Sequence, residues 1–315
     1  MMNIKKYQQK SQRIAPTTIE LAKFRYSTEG RVLQLDHVII EQPLQIRLLW
    51  QAPNSAVNQS QVFSITMRTP GDDKALIIGL MLSEGVIEDY HQLESILPEI
   101  DEHEAQASNA KVIENQWEVK LKAGLIPDIK SLERFQVTYS SCGLCGTTSL
   151  KSLEMKNPPS LNKNKHWLTF KVICAMPEIM RAAQAQFVQT GGSHAAALFD
   201  EVGQLIDIKE DIGRHNALDK LFGASLVERS ISQSQFSVLV SGRISFEIVQ
   251  KTVMAGVAVL IAVGAPSELA ILAAKRFDLT LIGFTKKSGF NLYHGDWRLL
   301  TFKDTAKKVS HQMTD

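Results

Sequence analysis

The sequence predicts a mixed α/β protein, an α/β unit of alternating strands and helices preceded by a smaller α+β part rich in strands. Two patterns carry this expectation. From Ser237 to Phe284 short apolar strands alternate with helices, as in parallel strands covered on both faces. Between Val32 and Met67 short apolar runs are broken by turn residues, as in a smaller sheet. The length of 315 residues leaves room for two domains or one large one.

Residues 1–25 read as a flexible leader, polar and basic through Lys5, Lys6 and Lys10. Residues 26–125 read as a β-rich domain with one helix. Val32–Ile46 supplies two strands turning at Glu41–Pro43, and Val62–Met67 supplies a third. Thr69-Pro70-Gly71-Asp72-Asp73 is a turn whose aspartate is expected to cap the helix Lys74–Ser83. Residues 88–116 are acidic, lack a lasting period and read as loops near a domain boundary. Trp117–Leu121 is a further strand.

Residues 126–303 read as the α/β domain, and 304–315 as a polar tail. Phe135–Tyr139 is a strand running into Cys142, and Thr148–Met155 a helical turn. Pro177 suits the first position of a helix that ends at Gly191-Gly192. Ala195–Phe199 and Gln204–Ile208 form a hairpin around Asp200–Gly203. Helices are expected at Arg214–Leu226, Ser245–Ala255 and Pro266–Phe277, and strands at Ser237–Val240, Val257–Val263 and Leu279–Phe284. Asn291–Tyr293 and Trp297–Phe302 add an antiparallel edge.

Composition narrows the function. A net charge of +2 gives no basic field for nucleic acid. The longest apolar run, Val253–Ala265, contains Gly256 and falls short of the roughly 20 residues of a membrane span. The first twenty residues hold no apolar core of a signal peptide, so a cytoplasmic protein is expected. Three cysteines exclude a disulfide scaffold.

Chemistry concentrates at Tyr139–Leu150, which reads Y-S-S-C-G-L-C-G-T-T-S-L. Cys142 and Cys145 stand two residues apart among glycines and hydroxyl residues, and accessible thiolates are what sulfur chemistry requires. Three readings remain open on the residues alone. Zinc needs four ligands in a closed site, and one CxxC supplies two, with Cys174 and the histidines as further candidates. A redox dithiol wants a helix start in a thioredoxin-like unit. Sulfur transfer needs one thiolate to hold a persulfide and a neighbour to support it.

A second region is expected at the carboxyl ends of the parallel strands, where ligands of open α/β sheets bind. The loops Ser241-Gly242-Arg243, Gly264-Ala265-Pro266 and Thr285-Lys286-Lys287-Ser288-Gly289 fall there and suit a phosphorylated ligand. Ordinary βα turns with a solvated lysine pair explain them equally well. Asp211-Ile212-Gly213-Arg214-His215-Asn216 reads either as a pocket rim or as a capped helix start with His215 exposed. His194 reads as a hydrogen-bonded structural histidine.

Seven blocks, in order, carry a resemblance. They are E-Q-P-L-Q-I-R, M-R-T-P-G-D-D-K-A-L-I-I-G-L-M-L-S-E-G-V-I, S-S-C-G-L-C-G, T-G-G-S-H-A-A-A-L, E-D-I-G-R-H-N-A-L-D-K-L-F-G, S-G-R-I-S-F-E-I-V-Q-K and L-T-L-I-G-F. From about Glu41 to about Tyr293 the chain resembles the FdhD/NarQ family of sulfur carriers needed by formate dehydrogenases. The resemblance implies a cytidine-deaminase-like three-layer α/β domain. It implies a sulfurtransferase loaded by a cysteine desulfurase, with Cys142 forming the persulfide and Cys145 as its partner. It implies delivery to the molybdenum cofactor, in its bis-molybdopterin guanine dinucleotide form, before insertion into formate dehydrogenase, and a homodimer. Phe284, Thr285, Lys286, Lys287, Ser288 and Gly289 match the family's cofactor-binding stretch, beside Ser241, Gly242 and Arg243. Deaminase chemistry is not expected, because His194-Ala195-Ala196 lacks the glutamate of the H-x-E motif.

Overall fold

The computed structural model describes residues 16–51, 57–100, 112–127, 150–151, 153–154, 156–228 and 235–300. Twelve strands and six α-helices are present among them. The first four strands are β1 (Thr18–Ser27), β2 (Gly30–Ile39), β3 (Gln42–Gln51) and β4 (Asn58–Arg68), followed by α1 (Asp73–Ser83). Next come β5 (Leu93–Ile100), β6 (Val112–Leu121), α2 (Phe170–Ala183) and α3 (Ala185–Thr190). The hairpin β7 (His194–Phe199) and β8 (Leu205–Asp211) leads into α4 (Arg214–Glu228). The chain then runs β9 (Ser237–Val240), α5 (Phe246–Met254), β10 (Val259–Ala262), α6 (Glu268–Arg276), β11 (Thr280–Lys286) and β12 (Gly289–His294).

The mixed α/β expectation holds. A six-stranded sheet runs β12-β11-β10-β9-β7-β8, with β9, β10 and β11 parallel. Its strands alternate between two apolar layers, as a pleat buried on both faces must. Val238, Val240, Leu260 and Leu281 enter one cluster, and Leu239, Val259, Ile261 and Ile282 the other. The second cluster lies under α2 through Ile173, Met176 and Met180. The first takes in Leu218 and Phe222 of α4 and Ile248 and Val249 of α5. It then continues through Leu76, Ile77 and Met81 of α1 to Leu44, Ile46, Leu48 and Val119 of a four-stranded sheet, β4-β3-β6-β5. One buried cluster therefore joins the two sheets, with α1 as the shared layer.

The α1–α4 crossing is set by glycine. A Cβ on Gly79 would overlap the backbone oxygen of Asp219, and one on Gly223 that of Ala75. The two backbones touch because neither residue has a side chain.

Five expectations need correction. The stretch 18–25, assigned to the leader, belongs to β1, whose apolar residues alternate with charges but stay exposed on both faces. The acidic region 88–116 holds β5, at the edge of the four-stranded sheet, where Pro98 is tolerated. Pro177 lies inside α2 and does not begin it; Thr169 caps that helix, its hydroxyl accepting from Val172 N at 3.2 Å. Asp72 gives no side-chain cap to α1 and sits in the left-handed region at φ 54°. Asp73 instead takes both prongs of the buried Arg68, at 2.8 and 2.9 Å. Asp296–Arg298 is a 3₁₀ turn where an edge strand was expected at Trp297–Phe302, of which 301–302 lie outside the described residues. The buried Arg298 there donates to the carbonyls of Asn162 and Asp278, and burial lowers its pKa to about 10.

Candidate functional site

The expected edge forms at the carboxyl ends of β9, β10 and β11, and backbone bonds stitch its segments together. Ile244 N donates to Ala265 O at 2.9 Å, Ser267 N to Ile244 O at 2.9 Å and Phe284 N to Gly264 O at 3.0 Å. Gly264 lies so close to its neighbour that a Cβ would stand 2.7 Å from Gly242 O. These glycines are present because backbone meets backbone there.

Arg243 is exposed beside that seam. The stretch Thr285–Gly289, read as a loop, is a tight hairpin. Strand β11 continues through Lys286, and Lys286 pairs with Gly289 across Lys287-Ser288. Lys286, Lys287 and Ser288 project into solvent, while Thr285 is buried. Phe284 is half exposed and takes φ 55° at an irregularity of the β11–β12 pairing. A phenylalanine in that region is held there by its surroundings against its own preference. Phe284, Lys286, Gly289, Phe290 and Asn291 line an open depression of about 440 Å³.

Next to this edge stands a polar cluster. Ser241 Oγ accepts from Ala195 N at 2.9 Å and lies 3.3 Å from His194 Nδ1. A Cβ on Gly242 would meet His194 Nδ1 and Arg214 Cδ, each at 3.4 Å. Burial, then the charges of Arg214 and His215, lower the His194 pKa below 6.5, against the pull of Asp211. These influences favour the neutral form of the His194 imidazole.

The segment Asp211–Asn216 does two jobs. Asp211 is fully buried, not on a rim. It accepts from Thr69 N, Gly213 N, Asn216 Nδ2 and the buried Lys220 Nζ, the last at 2.7 Å. It thereby latches the R-T-P-G-D-D turn to the start of α4. His215 is not a free surface residue: its Nδ1 lies 2.6 Å from Glu247 Oε1. Burial opposes the Glu247 charge, but the His215 hydrogen bond and Lys251 outweigh it and hold its pKa down to about 2.

Sequence reasoning missed the continuation of this chain of charges. Lys251, on α5, reaches Glu247 at 3.7 Å and Asp219 at 2.8 Å, and Asp219 also accepts from Ser83 Oγ. The signal was two charges, Asp219 and Lys251, inside otherwise apolar helix faces. Around this region Arg214 Nε, His215 Nε2, Ser245 Oγ and Thr285 Oγ1 are buried without a hydrogen-bond partner.

Cys142, Cys145 and the strand candidate 135–139 lie outside the described residues. Cys174, the third cysteine, is buried on α2, and burial raises its pKa. No cluster of three metal-ligating side chains occurs among the described residues. No described helix is long and apolar enough to cross a membrane.

Comparison with known proteins gives a consistent result. The model of the FdhD/NarQ family matches residues 40–300. The "Sulfur carrier protein FdhD" of Streptomyces avermitilis is 43% identical over 267 residues, covering 84% of this chain and 89% of that protein. The protein of the same name from Saccharolobus solfataricus is 38% identical over 258 residues, covering 82% and 89%. A crystal structure from Desulfotalea psychrophila, described as a candidate formate dehydrogenase accessory protein, shares the fold. It aligns with a TM-score of 0.66 at 23% identity, over 90% of this chain and 100% of that one.

Proposed function

This chain belongs to the FdhD/NarQ family, and from that premise we propose that it is a sulfur carrier serving formate dehydrogenase. The observation that carries the reading is the pair Cys142 and Cys145 in S-S-C-G-L-C-G, within a chain 43% identical to a protein named as a sulfur carrier. The Cys142 thiolate attacks the terminal sulfur of a persulfide on a cysteine desulfurase. A new S–S bond forms on Cys142, the donor's S–S bond breaks, and the donor leaves as its thiolate. No net oxidation occurs. Cys145 stands near enough in sequence to support or resolve the persulfide.

The acceptor is the molybdenum cofactor, taken as substrate in its bis-molybdopterin guanine dinucleotide form. Its phosphates suit the edge built from Ser241-Gly242-Arg243 and Phe284–Gly289, where Arg243, Lys286 and Lys287 supply exposed cations. The unpartnered Thr285 Oγ1 and Ser245 Oγ support a polar occupant nearby. Lysine and arginine on an exposed edge bind such anions by salt-sensitive attraction.

The test is intact-protein mass spectrometry after incubation with a cysteine desulfurase and cysteine. A reducible gain of one sulfur atom that vanishes in Cys142→Ala supports the reading. Loss only in Cys145→Ala exchanges the two roles. No gain in any form, with the cofactor still bound, turns the reading to a non-catalytic cofactor-binding chaperone. Stoichiometric zinc on the purified chain, with unfolding by a chelator, turns it to a structural metal module.

A further inference from the structure

His215 stands in the first turn of α4 and Glu247 in the first turn of α5. The 2.6 Å contact between His215 Nδ1 and Glu247 Oε1 ties the two helices at their starts. A carboxylate only accepts hydrogen bonds, so Nδ1 carries the hydrogen, and in the neutral ring Nε2 is left with the lone pair. Glu247 keeps its charge, despite its burial, down to about pH 2. The tautomer is therefore fixed by a partner that does not change.

Nothing in the fold uses that lone pair. Nε2 is buried without a hydrogen-bond partner, although the side chain as a whole is 25% exposed. Arg214 Nε and Ser245 Oγ, at the starts of the same two helices, are buried and unpartnered as well. Burying such atoms unpaired is costly, and a task in chemistry is a reason to keep them. The place adjoins the loop Ser241-Gly242-Arg243. A Cβ on Gly242 would stand 3.4 Å from both Arg214 Cδ and His194 Nδ1, and the His215 charge is felt at His194. His194 itself is less suited to proton transfer, because its Nδ1 faces Ser241 Oγ at 3.3 Å.

We propose that His215 is the proton acceptor of sulfur delivery at this edge, with Glu247 as the positioning residue that fixes its tautomer. The inference rests on the sulfur-carrier reading and adds two residues to it. A persulfide has the form R–S–S–H. The acceptor, a reduced metal centre, gives an electron pair to the terminal sulfur and bonds to it. The S–S bond breaks, and its electron pair leaves with the carrier sulfur as a thiolate. The S–H proton passes to Nε2 through one bridging solvent molecule, and then from Nε2 to the thiolate, which becomes a thiol. The acceptor is oxidised by two electrons, the terminal sulfur is reduced to sulfide, and no proton is gained or lost overall. The charged and titratable groups around the pair are Lys251 on α5, Arg214 on α4, His194 on β7 and Asp211 at the end of β8. Where α1 meets α4 it presents Ala75, Gly79 and Ser83, none of which titrates.

The experiment loads the full chain with sulfur, supplies the molybdenum cofactor and follows loss of that sulfur by quenched intact-protein mass spectrometry from about pH 8 to about pH 5. It compares the wild type, His215→Gln, Glu247→Gln, and His215→Ala with and without added imidazole. All forms are expected to take up sulfur, and cyanide, which strips persulfides unaided, is expected to remove it from all of them equally. Wild-type delivery should slow towards the acid end, where histidine gains a proton. His215→Gln should deliver about 100-fold more slowly and with little pH dependence. Imidazole should restore part of the delivery lost in His215→Ala, which a merely structural role would not allow. Glu247→Gln should also deliver slowly, with the acid limb moved to lower pH, because an adjacent carboxylate favours the charged imidazole. Wild-type delivery by His215→Gln overturns the proposal, and so does a loss in His215→Ala that imidazole leaves untouched. A wild type that takes up no sulfur brings down the sulfur-carrier reading and this proposal together. Normal uptake with unaltered delivery in the variants brings down this proposal alone.

Discussion

Lys251 Nζ grips both carboxylate oxygens of Asp219, at 3.0 and 2.8 Å, with each side chain only about 1% exposed. Burial opposes the lysine's charge. Asp219, with Glu247 and Glu84, outweighs it and keeps the Lys251 pKa above its ordinary value. Removing one partner leaves a bare charge in the core. Lys251→Met or Asp219→Leu alone should cost about 3–5 kcal/mol in urea unfolding, and the double variant clearly less than the sum. Additive losses would mean that the two charges act separately.

The glycine crossing gives a sharper steric prediction. Gly79→Ala forces a methyl group into the backbone of α4, and Gly223→Ala into that of α1. Each should lower stability by about 3 kcal/mol, the upper end of what overpacking costs. Gly30→Ala, with open space around it, tests the contrast: its left-handed φ of 127° penalises it without any clash. Thermal unfolding of the three variants separates the two causes.

Acid should weaken the fold through the same edge. Glu247 falls from its ordinary 4.5 to about 2 in the folded chain, so its contribution is present above pH 4.5 and is lost as pH falls towards 2. His194, held below 6.5, acts with the same sign: folding favours its neutral form, and stability drops as pH falls beneath 6.5. Melting temperatures from pH 8 to 3 should decline for the wild type. Glu247→Gln should flatten the part below 4.5, and His194→Gln the part just below 6.5. A variant curve parallel to the wild type's would remove that residue from the account.

Phe284 offers a case where stability and function part. Its φ of 55° costs a non-glycine residue on the order of 1 kcal/mol. Phe284→Gly should therefore leave the melting temperature unchanged or raised, despite losing a ring. If the depression beside it receives the cofactor, sulfur delivery falls in the same variant while sulfur loading on Cys142 is kept. Loss of loading as well would place Phe284 upstream of delivery.

Legibility in the sequence followed burial. Strands β9, β10 and β11 were evident because both faces are covered and their residues are nearly all apolar. Strands β1 and β5 were not, since charges punctuate an arm exposed on both faces and Pro98 interrupts an edge. Pro177 misled because its missing N–H marks helix starts, while Thr169 had already capped the helix. At the site, the gathering of the loops after β9, β10 and β11 at one edge was legible from the alternation of strands and helices. The Lys251–Asp219 and Asp211–Lys220 pairs were not, because each joins two different elements whose packing no local pattern reveals. The CxxC motif stands out in the sequence, and Cys142 and Cys145 lie outside the described residues.

The crossing of α1 on α4 also imposes a timetable. During synthesis α1 emerges with Ala75, Gly79 and Ser83 on the side that meets a helix whose residues, 214–228, are translated long afterwards. The four-stranded sheet waits too, since its layer of helix is closed on the far side by those later residues. The first half of the nascent polypeptide therefore leaves the ribosome as an unfinished half-core. Its greasy surface must be shielded until the second half arrives.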